Sequence, residues 1–395
     1  MTDLVGESLE LTVGPVAHGG HCVARYDGQV VFVRHALPGE RVKAVVTEQR
    51  RAFLRADAVE VLSASVDRVQ APCRYAGPDR CGGCDFQHAT PAAQRQLKAA
   101  VVREQLARLA GITMDVVVEP LPGDVLGWRS RVQYTVDGAG RVGFHKHRSN
   151  EVVPVDRCLI ADPRLPAGGR WPADVGVVEA VASSGGDLTV YTRRSRQDSR
   201  IRVVSGPAVV RELALGREWS VAADGFWQVH RAAPEVLAAA VVELLEPRPG
   251  ERVWDLYGGV GLFAGALAPL AGPVTVVEAD ARAAAAARRN LADLPRVRVV
   301  RADVAAALAN PRWRRIDLVV LDPPRAGVGA AVVRSILDRH PRAVAYVSCD
   351  PASLARDVAT FIGAGWRLAA LRAFDAFPMT HHVECVALLT PEPSG

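Results

Sequence analysis

The chain contains no run of about 18 or more consecutive apolar residues, so nothing in it reads as a membrane-spanning helix. The segment Met1–Glu7 lacks the basic and apolar regions of a secretory signal, and a cytoplasmic location is the expectation. Cysteine is sparse and odd in number: Cys22, Cys73, Cys81, Cys84, Cys158, Cys349 and Cys385. An odd set without a secretion signal argues against a disulfide framework. Lysine is nearly absent, with Lys43, Lys98 and Lys146 alone, so arginine carries the net charge of +5. That charge, with a pI near 8.9, permits a nucleic-acid partner without demanding one. What remains is ordinary globular composition, 49% hydrophobic and 23% charged, over 395 residues. Such a length holds two or three domains, and nothing in it calls for more than a monomer.

The first part is β-rich. Leu9–Val13 precedes a glycine turn at Gly19-Gly20, Gln29–Val33 precedes Pro38-Gly39-Glu40, and Arg41–Val46 reads as a further strand. Short strands with turn signals between them predict a small barrel. Arg34, His35, Arg41, Lys43, Arg50, Arg51 and Arg55 make it basic. Charge alone leaves an RNA-contacting face and a solvated surface equally open. Thr90-Pro91 reads as the cap and first turn of a helix running to Gly111. Residues 112–220 alternate strand-like segments with Gly and Pro turns, and the basic segment His145-Lys146-His147-Arg148 falls among them. From Pro234 onward, strand and helix patterns alternate, which predicts a parallel sheet covered by helices on both faces.

Chemistry gathers at the ends of these later strands. Asp255-Leu256-Tyr257-Gly258-Gly259-Val260-Gly261 joins a strand to a helix, where glycine lets backbone approach a ligand closely. The next strand ends in Glu278, roughly 20 residues on, placed to accept ribose hydroxyls. A nicotinamide cofactor and S-adenosylmethionine (SAM) both satisfy this much. Asp322-Pro323-Pro324-Arg325 separates them, because successive prolines make a rigid, extended rim able to hold a planar base. Cys349 lies between an apolar strand and Asp350-Pro351, which reads as a helix start, a place expected to expose the thiol and lower its pKa. Glu384 precedes the apolar strand Cys385–Leu389, so desolvation is expected to raise its pKa toward that of a base. A thiolate that adds to carbon 6 of uracil makes carbon 5 nucleophilic, and a base must then remove the carbon-5 proton.

Cys73, Cys81 and Cys84, with the distant Cys158, supply four thiolates, a donor set that suits zinc or an iron–sulfur cluster. Cys22 and Cys385 read as packing.

Phe226-Trp227-Gln228, the Asp255–Gly261 loop, Val277-Glu278, Asp322–Arg325, Ser348-Cys349-Asp350-Pro351 and His381–Cys385 occur in one order. In these motifs the chain resembles the uracil-5 RNA methyltransferases of the TrmA/RlmD (RumA) type. The N-terminal barrel resembles a TRAM domain in Gly19-Gly20, Val30–Val33 and Leu37–Glu40. The resemblance implies a multidomain α/β protein. Residues 1–64 would be an OB-like β-barrel that binds RNA, 65–220 a β-rich central domain with an iron–sulfur site, and 221–395 a Rossmann-like SAM methyltransferase domain.

By the same resemblance Gln228, Tyr257, Glu278 and Asp322 contact SAM, and Asp303 falls where some members have a further adenosine contact. Cys349 is the nucleophile and Glu384 the proton acceptor. Cys73, Cys81, Cys84 and Cys158 hold a 4Fe-4S cluster, with a spacer after Cys73 longer than is usual in the family. Leu262 also departs, standing where well-known members carry Asn. A barrel and a cluster motif together favour ribosomal over transfer RNA as partner. A radical-SAM reading fails for want of a Cys-x3-Cys-x2-Cys signature, and a dehydrogenase does not explain Asp322–Arg325 together with Ser348–Pro351. A non-catalytic RNA-binding assembly factor is the reading that intact Cys349 and Glu384 oppose.

Overall fold

A computed structural model of the protein describes residues 3–166, 168–310 and 316–393. At its N-terminal end, Ser8–Thr12, Arg41–Gln49, Phe53–Ser63, Gln29–Arg34 and Cys22–Tyr26 lie side by side in that order. Beyond Thr12 the chain crosses to the opposite edge. There Gly14 N–H donates to Val23 O at 2.7 Å and Val23 N–H to Pro15 O at 2.9 Å, which closes the sheet into a small barrel. Alternate residues, among them Leu11, Val31, Val33, Val42 and Leu54, fill its interior. Outside, Arg55 lies 5.4 and 5.1 Å from the ring centroids of Phe32 and Phe53.

The middle of the chain forms a six-stranded antiparallel sheet from Arg131 to Ser205 and a hairpin of Val209–Ala214 with Arg217–Ala222. The largest sheet has eight strands. Val297–Arg301, Val274–Glu278, Val253–Leu256, Leu318–Leu321 and Ala343–Ser348 are parallel, as the alternating pattern predicts. Its other side differs from that expectation. Glu384–Pro391 runs antiparallel between Ala343–Ser348 and Trp366–Asp375, because a tight return after Asp375 brings the chain back without a crossover helix. Leu318–Leu321 and Ala343–Ser348 are buried along their whole length, with successive residues feeding two cores on opposite faces.

Helix Pro91–Gln105 starts where the sequence places it, with Thr90 Oγ1 accepting the Ala93 N–H at 3.3 Å. Its end differs. The last turn, Leu106–Ala110, widens to a π turn that carries Leu106 into the core shared with Val358 and Phe361, and Gly111 stops it at φ +67°. Part of the 65–220 span thus packs onto the eight-stranded sheet. Ala99, Val102 and Val116 join the same core, and Val118–Pro120 is its outermost strand, parallel to Trp366–Asp375.

Candidate active site

The five parallel strands end on one edge of the sheet, where open α/β sheets bind ligands. Tyr257 follows the first strand, Glu278 ends the second, and Asp322 and Cys349 follow the two strands beyond. Glu384 reaches the same edge by a different route. Its strand is antiparallel to Ala343–Ser348, with Ser348 opposite Cys385, so the start of one strand meets the end of the other. One cavity of about 880 Å³ is lined by Gln228, Tyr257, Glu278, Asp322, Cys349 and Glu384 together. Phe226 stands at its mouth, 71% exposed. Asp303 is not on the wall. It caps the helix Val304–Leu308 by accepting the Ala306 N–H at 3.2 Å.

The glycine loop needs its glycines. Gly261 sits at φ +98°, and a Cβ there would lie 2.5 Å from Leu291 Cδ1. Glu278 Oε2 accepts the Gly259 N–H at 2.9 Å and so ties the loop to the second strand. Asp255 is fully buried: one oxygen accepts the Ala264 N–H at 2.9 Å, the other has no partner among the described residues, and burial pushes its pKa up to about 7. Burial likewise raises Asp322 to about 7. The loop beyond Arg325 is pinned by Asp357, which accepts the Tyr346 O–H at 2.7 Å and the Val328 N–H at 2.8 Å.

Cys349 departs from expectation in its acidity. The helix begins at Pro351 and Asp350 occupies its cap, accepting the Ser353 N–H at 2.7 Å, so the thiol lies outside the helix end. Burial, reinforced by the nearby Glu384 carboxyl, pushes its pKa up to about 11. Glu384 behaves as expected. It is 3% exposed, and burial, with Asp322 adding to it, raises its pKa well above the ordinary carboxyl range. The Arg325 guanidinium opposes both shifts.

The loop that carries Glu384 is fixed from far away in sequence. Lys98 donates to Asp375 Oδ1 at 2.5 Å and to Phe377 O at 3.0 Å. Gln94 Oε1 accepts the Met379 N–H at 2.8 Å, and Met379 O accepts the N–H groups of Asp85 and Phe86, both at 3.0 Å. Asp85 Oδ2 stands 2.6 Å from His381 Nδ1.

Comparison with known proteins agrees with this geometry. The profile described as "TRAM domain" matches residues 3–59, and the one described as "tRNA (Uracil-5-)-methyltransferase" matches residues 219–392. A protein of Streptomyces avermitilis described as an uncharacterized RNA methyltransferase is 49% identical over 99% of this chain and 100% of its own. The 23S rRNA (uracil(1939)-C(5))-methyltransferase RlmD of Alkalilimnicola ehrlichii is 32% identical over 98% of this chain and 97% of its own.

The chain belongs to the uracil-5 RNA methyltransferases. In fold the methyltransferase resembles the tRNA (uracil-54, C5)-methyltransferase of Pyrococcus abyssi, solved with S-adenosyl-L-homocysteine. That likeness has a TM-score of 0.74 at 22% identity and covers 97% of this chain and all of that one. Among the described residues, no helix is long and apolar enough to cross a membrane.

The four cysteines of the enzyme's candidate metal site come into one neighbourhood. Cys73, Cys81 and Cys84 lie in the segment after the barrel, and Cys158 follows the strand Val152–Pro154. Gly82 N–H donates to His145 O at 2.9 Å, and a Cβ on Gly82 would lie 2.6 Å from His147 N, so only glycine lets this segment approach so closely. Burial raises Cys81 to about 11, and the charges of Cys158 and Cys73 add to it. Among the described residues no three ligating side chains are close enough for a single metal ion. All four donors are thiols, a set whose chemistry suits zinc or an iron–sulfur cluster.

Sequence reading assigned no role to Arg325, Gln94, Lys98 or Asp85. Arg325 was visible as the last residue of its motif; a cation there is the signal. The other three act on a loop nearly three hundred positions away, and no periodicity reports that.

Proposed function

We propose that the enzyme methylates carbon 5 of a uridine in 23S ribosomal RNA through a covalent adduct with Cys349. The observation that carries this is the meeting of Cys349 and Glu384 on adjacent antiparallel strand ends, in the cavity that also holds Gln228, Tyr257, Glu278 and Asp322. Gln228, Tyr257, Glu278 and Asp322 hold SAM, which supplies the methyl group, and Asp303 contributes at most through Tyr257, whose phenol its charge reaches. The target base is turned out of its stack into the cavity.

Arg325 favours the thiolate of Cys349, and the sulfur forms a bond to carbon 6. The ring becomes an enolate, and carbon 5 takes the methyl group as the donor's C–S bond breaks. Glu384 then removes the carbon-5 proton, the C5–C6 double bond re-forms, and the thiolate leaves. A base raised by burial suits this step, since it must hold the proton until the product departs.

Cys73, Cys81, Cys84 and Cys158 would hold a 4Fe-4S cluster that ties the segment after the barrel to the middle sheet. Methyl transfer needs no redox step, so its work is to hold these elements together. We assign residues 1–64 to RNA binding, 65–220 to the cluster site and 221–395 to methyl transfer, in a cytoplasmic enzyme. We take it to act as a monomer.

Ribosomal RNA is favoured by the RlmD relatives, which match nearly the whole chain. Transfer RNA is the second reading, favoured by the family description matched at residues 219–392. Labelled methyl transfer from SAM into total RNA lacking 5-methyluridine separates them. Label in 23S RNA supports the proposal, and label confined to transfer RNA replaces the substrate. Binding of RNA and SAM without transfer would leave an assembly factor.

A further inference from the structure

The barrel reaches the catalytic loops through one turn, Ala17-His18-Gly19-Gly20. Gly20 N–H donates to Ala17 O at 3.1 Å, Ala17 N–H donates to His21 O at 2.7 Å, and Gly19 and Gly20 adopt φ of +93° and +79°. His18 Nε2 lies 2.9 Å from Asp350 Oδ2, on the residue that follows Cys349. The other Asp350 oxygen caps the helix Pro351–Ile362, so one carboxylate joins the barrel to the nucleophile loop. Gly20 backs onto the opposite wall. A Cβ there would stand 2.6 Å from His381 Cβ and 3.3 Å from Asp85 Cβ. Asp85 holds His381 on one oxygen and approaches barrel residue Arg34 on the other, at 3.4 Å, with both partners of that pair buried.

A domain that only gripped RNA would have no need to touch the loops of both reacting groups. We infer that the Ala17–Gly20 turn is a positioning element of the active site. His18 holds the loop of Cys349, while Gly20 and Asp85 seat the loop of Glu384, so barrel docking sets the distance between nucleophile and base. This inference rests on the assignment of Cys349 and Glu384 proposed above. His18 and Gly20 are positioning residues, acting through Asp350 and His381.

The test compares His18→Ala, His18→Gln and Gly20→Ala in the full-length protein with wild type and Cys349→Ala. It measures the methyl-transfer rate at saturating SAM and the affinity for an unmodified 23S RNA transcript. Misplacing a reacting group by a fraction of an ångström lowers kcat for His18→Ala and Gly20→Ala by about tenfold to a hundredfold. KM and Kd for RNA stay within about twofold, since binding contacts are untouched. His18→Gln keeps a side-chain N–H for Asp350 and recovers most of kcat. The His18 side chain is 40% exposed, so its variants fold even if Gly20→Ala does not. Loss confined to RNA affinity, or unchanged kcat in His18→Ala, overturns the inference. A wild-type enzyme without transfer, or an active Cys349→Ala, shows instead that the underlying assignment has failed.

Discussion

Lys98 and Asp375 form an ion pair of 2.5 Å with side chains 0% and 3% exposed, and the same ammonium holds Phe377 O at the start of the Glu384 loop. Removing one partner leaves an uncompensated buried charge. Lys98→Met should therefore cost about 3–5 kcal/mol of stability, read as a lower Tm. Adding Asp375→Leu should recover most of that loss but not the methyl-transfer rate, because Phe377 O still lacks its donor.

Glu384→Gln should separate the two halves of the reaction. Methylation of the bound base proceeds, but the carbon-5 proton stays, so turnover falls by about a hundredfold to ten-thousandfold. A methylated protein–RNA adduct should accumulate on denaturing gels. Turnover within about twofold of wild type would remove Glu384 from the base role.

The Cys349 thiol sits at about 11, and only the thiolate reacts, so its alkylation should quicken steadily as pH rises through neutrality toward that value. Arg325 pulls the pKa down. Arg325→Ala should move the profile to higher pH and slow alkylation at neutral pH. Peptide mass after iodoacetamide treatment follows Cys349 apart from the other cysteines.

Glu278 and Asp303 should part company on SAM binding. Glu278 lines the cavity and holds Gly259 N–H, so Glu278→Ala should weaken SAM by about tenfold to a hundredfold. Asp303 lies off the wall as a helix cap, so Asp303→Ala should cost about 1 kcal/mol of stability and leave SAM affinity nearly unchanged. Titration calorimetry and thermal unfolding check both.

The parallel half of the catalytic sheet was legible because Val253–Leu256, Leu318–Leu321 and Ala343–Ser348 are, Asp255 and Ser348 apart, apolar on both faces and give way abruptly to Tyr257, Asp322 and Cys349. An abrupt change from apolar to polar at a strand tip survives in sequence. The antiparallel return of Glu384–Pro391 was not legible as topology, since pairing direction leaves no mark on composition. The acidity of Cys349 was misread for a local reason: Asp350, not Cys349, takes the cap, and a carboxyl from another strand adds its charge. Contacts such as Gln94 with Met379 and His18 with Asp350 are single polar pairs across the fold, and only coordinates reveal them.

The most direct test uses an RNA substrate in which 5-fluorouridine replaces uridine, because fluorine at carbon 5 cannot be removed as a proton. With SAM present, wild-type enzyme should form an adduct stable to denaturation, and peptide mass should place the nucleotide on Cys349. Cys349→Ala should form none. An adduct that persists in Cys349→Ala, or that maps to another residue, would contradict the covalent role assigned to this thiol.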